Sequence, residues 1–271
     1  MLSGIIFQIR SISLKWKLLI PFLFLCFIGV TTIAYIGLNS QQKLIKEEER
    51  REILGYYRIF LAIIDRKKEQ ALSLATIIAE NSQVQELLSK QNRKGLYELI
   101  FPLYKHLKKD FGVAQLHFHI PPDRSFLRLY FLNESGDLLS YRKTIMKAMN
   151  TGKSAGGLEW GLSGLGIRGV VPIFAKGILV GTVEVGYPFD ELFLDDIKRD
   201  WGVDLTVYEQ RGKKDYPHYS LLATTLKDET IYFPKKYVMG PDEERPIILI
   251  APLITLKNPS SWALYVNTLE M

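Results

Sequence analysis

Residues 113–120, VAQLHFHI, alternate strictly from Gln115 onward. In a strand this puts His117 and His119 on one face and Leu116, Phe118 and Ile120 on the other. Two imidazoles two residues apart can supply half of a zinc site, but a third ligand is needed, and neither His106 nor His218 stands at a spacing that supplies it. Hydrogen bonding, structural or to a ligand, is therefore the expected chemistry of the pair, and no metal site is assigned. The same alternation in SFLRLYFL (125–132) sets Phe126, Arg128 and Tyr130 against Leu127 and Leu129. In ILVGTVEVGY (178–187) it sets Thr182 and Glu184 against Val183 and Val185. Arg168 opens the neighbouring strand, and Glu159 and Trp160 stand in the segment that leads to it.

A polar sheet face of this kind has two readings. It is the wet side of an antiparallel sheet, or it is the wall of a pocket roofed by residues 133–166. Exposed faces usually carry Lys, Glu and Thr. This one carries Arg, His, Tyr, Phe and Trp, the types that read a planar or charged small molecule. On the pocket reading, Arg128 and Arg168 pair an anionic group of the ligand. His117, His119, Tyr130, Glu159 and Glu184 fix its polar remainder, and Phe126 and Trp160 form apolar walls. Arg128 and Arg168 set against Glu184 fit an acid or a zwitterion better than a cation.

Other motifs fail on context. Gly164, Gly166 and Gly169 fit G-x-G-x-x-G, but a β-branched run with Pro172 follows where a dinucleotide site needs a helix. Gly152, Lys153 and Ser154 resemble the end of a P-loop, yet the required first glycine falls on Lys147. No nucleophile–base pair, H-E-x-x-H or EF-hand loop stands at useful spacing. No catalytic residue and no cofactor is therefore assigned.

The elements that must position these residues form an α+β layout. Strands at 113–120, 125–132, 167–175 and 178–187 read as a meander, closed by a turn at Lys176 and Gly177, with a short helix at about 138–149. Residues 190–271 read as a shorter version of the same plan. A helix at 190–201 is followed by strands at 203–210, 221–226, 231–233, 245–254 and 261–270, with a hairpin through Lys257, Asn258 and Pro259. Ahead of the first sheet, a helix at 94–109 ends at Gly112, with Pro102 expected to kink or restart it. Before that, about 39–89 reads as one long helix. Ile53, Tyr57, Phe60, Ile64, Ala71, Leu74 and Ile78 form a heptad-like stripe along it. That stripe either carries a shift along a rod or packs on its own domain.

Residues 18–38 are 21 uncharged residues, and about 20 suffice to cross the hydrocarbon core. Trp16 and Tyr35 sit near its ends. A cleaved signal peptide is the other reading, but the run exceeds an h-region of about 7–15 residues and no clear small-residue cleavage site follows. Pro21 falls in the first turn of this span, where it costs little. Cys26 lies inside it as a small packing residue or, alternatively, a palmitoylation site. As the only cysteine it excludes an internal disulfide and a multi-cysteine metal site. Net charge is +6, of which Arg10, Lys15 and Lys17 carry half. The rest is too dilute over 39–271 to argue for nucleic acid.

The stretches VAQLHFHIPPDRSFLRLY, GLEWGLSGLGIRGVVPIF and VGTVEVG resemble the double Cache extracellular sensor family of bacterial chemoreceptors, sensor kinases and diguanylate cyclases. The resemblance covers about 39 to the end and is most specific over 110–187. It implies a cytoplasmic segment (1–17), a transmembrane helix (18–38), and helices over 39–109. It further implies a PAS-like distal module with the ligand pocket (110–187) and a PAS-like proximal module (188–271). An inner-membrane location follows from it, with 39–271 outside, together with a homodimer and a small-molecule ligand. The expected function is the sensory part of a transmembrane receptor. Two departures stand out. Arg128 and Tyr130 do not complete the R-x-W-Y signature of the amino-acid-binding members. The chain also stops where a second transmembrane helix is expected, so a membrane-tethered adaptor or receptor remnant is the alternative.

Overall fold

The computed structural model describes residues 13–211, 218–225, 247–251 and 262–266. The chain divides into two units, Met1–Gly55 and Tyr56–Met271. In the first unit, helix α1 (Leu14–Ala79, 66 residues) supplies a stretch, Leu14–Glu48, that is long and apolar enough to cross a membrane and has none of its side chains buried. Pro21 lies inside this helix rather than in its first turn, because the helix already begins at Leu14.

In the second unit, α1 from Tyr56 onward turns its apolar stripe inward. Phe60, Ile64, Ala71 and Ile78 are buried, and Tyr57 and Leu74 pack at the margin. This part of the stripe therefore packs on its own domain. The expected helix up to Ser89 is broken at Asn81. Its side chain accepts from the backbone N–H groups of Gln83 (2.9 Å) and Val84 (3.2 Å) and starts a separate helix, α2 (Ser82–Ser89). An asparagine that satisfies two free N–H groups stabilises a new start at this point. Helix α3 (Arg93–Phe111) ends as expected at Gly112, whose φ of +71° is left-handed. Pro102 does not restart it, since Leu96, Ile100, Tyr104 and Leu107 bury one face on both sides of the proline.

Five antiparallel strands follow: β1 (Gln115–Ile120), β2 (Arg124–Arg128), β3 (Ala155–Gly161), β4 (Gly164–Ala175) and β5 (Ile178–Pro188), in the order β2-β1-β5-β4-β3. Helix α4 (Lys143–Thr151) lies between β2 and β3 in sequence. The turn from β4 to β5 has positive φ at both Lys176 (+51°) and Gly177 (+80°), the geometry of a tight two-residue hairpin. β3 was not expected. Its sequence, AGGLEWG, has three glycines and no alternation, and it is held as a strand by pairing with β4 over its whole length.

The helix-facing side of this sheet is apolar. Leu116, Phe118, Leu127, Ile167, Val183 and Val185 join Phe60, Ile64 and Ala71 in one core. At one place no side chain separates helix from sheet. A Cβ on Gly169 would lie 2.5 Å from the backbone nitrogen of Leu72 and 2.7 Å from the carbonyl carbon of Ala71. Its cross-strand partner Gly156 would meet Lys68 Cγ at 2.9 Å. Two glycines thus form a trough that seats the α1 backbone.

Helix α5 (Glu191–Trp201) starts at Asp190, whose side chain accepts from the Phe193 N–H at 3.0 Å. Strands β6 (Thr206–Arg211), β7 (His218–Thr224), β8 (Ile247–Ala251) and β9 (Trp262–Val266) form a second antiparallel sheet, ordered β7-β6-β8-β9. Leu205, Val207 and Ala223 continue the main core into it. The strand expected at 231–233, the hairpin turn through Lys257 to Pro259 and the 1–12 segment lie outside the described residues.

Candidate functional site

The second face of the first sheet is neither apolar nor wet. Gln115, His117, His119, Ser125, Arg128, Arg168, Thr182 and Glu184 are all between 0% and 3% exposed. The exposed-face reading is therefore excluded. The register arranges them in three cross-strand rows. One row runs Ser125–His119–Thr182–Pro172. The next runs Arg128–His117–Glu184–Val170–Ala155. The third runs Gln115–Gly186–Arg168–Gly157.

Residues 129–154 roof these rows. Leu139, Ile145 and Ala148 pack onto Ala155 and Val170, so α4 sits on the apolar end of the middle row. The roof is tied down by charge. Arg128 donates from both terminal nitrogens to the two oxygens of Asp137, each at 2.6 Å. Arg142, at the N-terminal boundary of α4, donates to Glu184 at 2.6 Å and through Nε to Glu159 at 2.9 Å. Glu159 also accepts from the Thr144 N–H at 3.0 Å, so it caps α4 from across the sheet. Arg168 donates to Glu184 at 2.5 Å, to Gln115, and to the carbonyls of Glu159 (3.1 Å) and Gly164 (3.2 Å). Each of its nitrogens thus has a protein acceptor.

Burial alone would raise the Glu184 carboxyl, but Arg142 and Arg168 outweigh it and hold the group down to about 2. The histidines respond the other way. Burial, reinforced by the neighbouring His119 and by Arg128, Arg142 and Arg168, pushes His117 well below the ordinary imidazole value. Burial likewise takes His119 down to about 3, with Glu184 only partly offsetting it. Both rings are therefore neutral at pH 7. His117 Nε2 meets Ser125 Oγ and His119 Nδ1 meets Thr182 Oγ1, each at 2.8 Å, and the two ring centroids are 4.1 Å apart. Tyr130 adds an edge-to-face ring 6.2 Å from His117.

This neutrality has a measurable consequence. A histidine whose pKa is lower folded than unfolded stabilises the fold fully above about 6.5, and that stability is lost as pH falls toward the folded value. Each such group contributes about 1.4 kcal/mol per pH unit of decline. The melting temperature of the full chain in lipid nanodiscs should therefore fall steadily from pH 6.5 to 4.5. A His119→Gln variant should show a shallower slope; an unchanged slope would mean that His119 is not buried neutral.

Of the residues read from the sequence, His117, His119, Arg128, Tyr130, Arg168 and Glu184 converge here. The Glu159 side chain reaches the group through Arg142 and Thr144, and its backbone carbonyl accepts from Arg168. Phe126 does not face the roof. A β-bulge between Phe118 and His119 puts Ser125 opposite His119, and Phe126 turns into the helix-side core. Trp160, next to Glu159 on β3, lines a separate open cleft of about 500 Å³ with Leu165, Phe189, Asp190 and Leu192. Missed residues are Gln115, Ser125, Asp137 and Arg142. Gln115 was visible in the alternation itself. Arg142 and Asp137 belong to the roof, where no periodic pattern marks an inward position.

Among the described residues, three buried side-chain polar atoms lack any partner: His117 Nδ1, His119 Nε2 and Arg128 Nε. All three belong to this face. Buried polar groups are rarely left unpaired, so each of these atoms calls for a partner.

A family described as the double sensory domain of two-component sensor kinases matches residues 46–218. No curated protein matches the chain. Among solved structures, the sensor domain of the Vibrio cholerae histidine kinase DctB is similar at 10% identity and a TM-score of 0.45, over 58% of this chain and 63% of that one. A domain of a putative sensory box/GGDEF family protein from Vibrio parahaemolyticus is similar at 13% identity and a TM-score of 0.41, over 53% and 63%. The ligand-binding domain of the Campylobacter jejuni chemoreceptor Tlp3, in complex with L-norvaline, is similar at 13% identity and a TM-score of 0.35, over 63% and 75%. The chain thus spans less than two thirds of the length of the first two.

Proposed function

The chain belongs to the double sensory domain family of two-component sensor kinases, and from that premise we propose that it is the ligand-binding part of a bacterial transmembrane receptor. The helix at Leu14–Glu48 anchors it in the inner membrane, and the sheets lie on the outer side. The ligand is a small molecule bound between the polar face of the first sheet and the 129–154 roof. The observation that carries this is the set of three unpartnered buried atoms on that one face.

Within the chamber, His117, His119 and Arg128 contact the ligand and Tyr130 supplies a ring wall. Glu184, held by Arg142 and Arg168, is a positioning residue that fixes the roof to the sheet. Arg168 has its acceptors within the protein, so it holds Glu184 and not the ligand. Ligand binding shifts the roof and the sheet, and the sheet passes the shift to α1 through the Gly169 seat, biasing a two-state equilibrium in a homodimer.

The test is thermal unfolding of the full chain in nanodiscs against amino acids, organic acids, amines and nucleobases. A ligand at about 100 times its dissociation constant adds roughly 2.7 kcal/mol, or on the order of 5–10 °C for a unit of this size. The shift should vanish in His119→Ala and survive in Trp160→Ala. A shift lost in Trp160→Ala but kept in His119→Ala would move the site to the other cleft. No shift from any compound, in a protein that melts cooperatively, would remove the sensor reading.

A further inference from the structure

The charge inventory of the polar face narrows what it takes. Three guanidinium groups (Arg128, Arg142, Arg168) are matched by three carboxylates (Asp137, Glu159, Glu184), each arginine in an ion pair with at least one of them. Both histidines are neutral, so the walls carry no net charge. Among the described residues, an anion finds no free cation here, and a cation or the ammonium of a zwitterion finds no free carboxylate. A charged ligand that breaks a Glu184 pair leaves a buried charge unpaired, and one that takes Arg128 must displace both of its bonds to Asp137, whose side chain is 42% exposed.

The unpartnered atoms specify what remains. Arg128 Nε carries a hydrogen and is donor only, so it calls for an acceptor. His117 Nδ1 and His119 Nε2 can each be donor or acceptor. Their other nitrogens rest on Ser125 and Thr182, hydroxyls that accept either tautomer. The pair therefore adapts to an N–H or to a lone pair of the ligand. The ring surfaces of His117, His119 and Tyr130 stand together, which suits a flat molecule.

Resting on the sensor reading above, we propose that the ligand is an uncharged planar molecule with a carbonyl beside ring or amide nitrogen: an amide, a urea, a lactam or a nucleobase. The carbonyl accepts from Arg128 Nε, and the adjacent nitrogen edge meets the two imidazoles. The four ion pairs stay closed around it.

The experiment uses the full chain in nanodiscs and three 3-substituted pyridines, the neutral amide nicotinamide, the anion nicotinate and the cation 3-picolylamine, with uracil and L-alanine added. Affinities are read by calorimetry. Nicotinamide or uracil should bind at least about tenfold more tightly than each charged or zwitterionic compound. Arg128→Lys, which keeps the positive charge but removes the Nε donor, should weaken that binding by about tenfold. Equal or tighter binding of nicotinate, 3-picolylamine or L-alanine overturns the proposal. So does unaltered nicotinamide or uracil affinity in a folded Arg128→Lys protein. If a charged compound binds and His119→Ala abolishes that binding, the ligand class is wrong while the sensor reading stands. If neither this set nor the wider library binds, the unpartnered atoms hold only buried water and both fall.

Discussion

Replacing Glu184 by Gln will destabilise the fold by about 3–5 kcal/mol, because the change leaves Arg142 and Arg168 buried without the carboxylate that both of them pair. The side chain keeps its shape, so lost packing contributes little. For a unit of this size the drop in melting temperature is roughly 6–20 °C. The variant should also lose one limb of the acid response. The Glu184 pKa is about 2 in the fold against an ordinary 4.5. Its stabilisation is therefore complete above 4.5 and is lost as pH falls from there toward 2. Thermal unfolding of the wild type and the variant between pH 7 and pH 3 measures both effects. A loss under about 1 kcal/mol at pH 7, the size of an exposed ion pair, would show that the network is open to water.

Gly169→Ala is expected to be nearly as costly for a different reason. The new methyl group has nowhere to go, since a Cβ at that position would lie 2.5 Å from the Leu72 nitrogen and 2.9 Å from its Cα. The atoms it meets are helix backbone, which cannot swing aside as a side chain can. Overpacking of this kind costs about 1–3 kcal/mol even where side chains give way, and here α1 must lift off β4. The melting temperature should fall by roughly 2–12 °C. Gly55→Ala is the matched control. It lies in the same helix with nothing within 4 Å of the added atom, so it should be neutral or stabilising. A Gly169→Ala protein as stable as the Gly55→Ala protein would mean that helix and sheet are not in direct contact.

Much of the site was legible because a strand alternates. His117 and His119 could be assigned to one face, and Thr182 and Glu184 to one face, from period two alone. The errors have identifiable causes. A bulge adds a residue to one strand and reverses parity beyond it, which is why Phe126 was placed with the polar set. Glu159 and Trp160 are neighbours in β3 and so point to opposite faces, and they could not both have lined one pocket. That inconsistency was hidden because AGGLEWG does not look like a strand. Arg142 belongs to a helix boundary, where its role depends on how α4 is laid across the sheet. Long-range placement of that kind leaves no local trace. The long helix shows the opposite case. Its stripe was plain, but the same spacing serves a coiled rod and a packed face, and only the burial of Phe60, Ile64 and Ile78 distinguishes them.

The internal matching of the three arginines has a consequence for the response to salt. Salt weakens recognition by screening charges that face water, over about 10 Å at 0.1 M. Here the pairs of Arg142 and Arg168 with Glu184 are withdrawn from water, whereas Asp137, the partner of Arg128, is 42% exposed. The stability that the Glu184 pairs contribute should therefore change little with ionic strength, while that of the Arg128–Asp137 pair is open to screening.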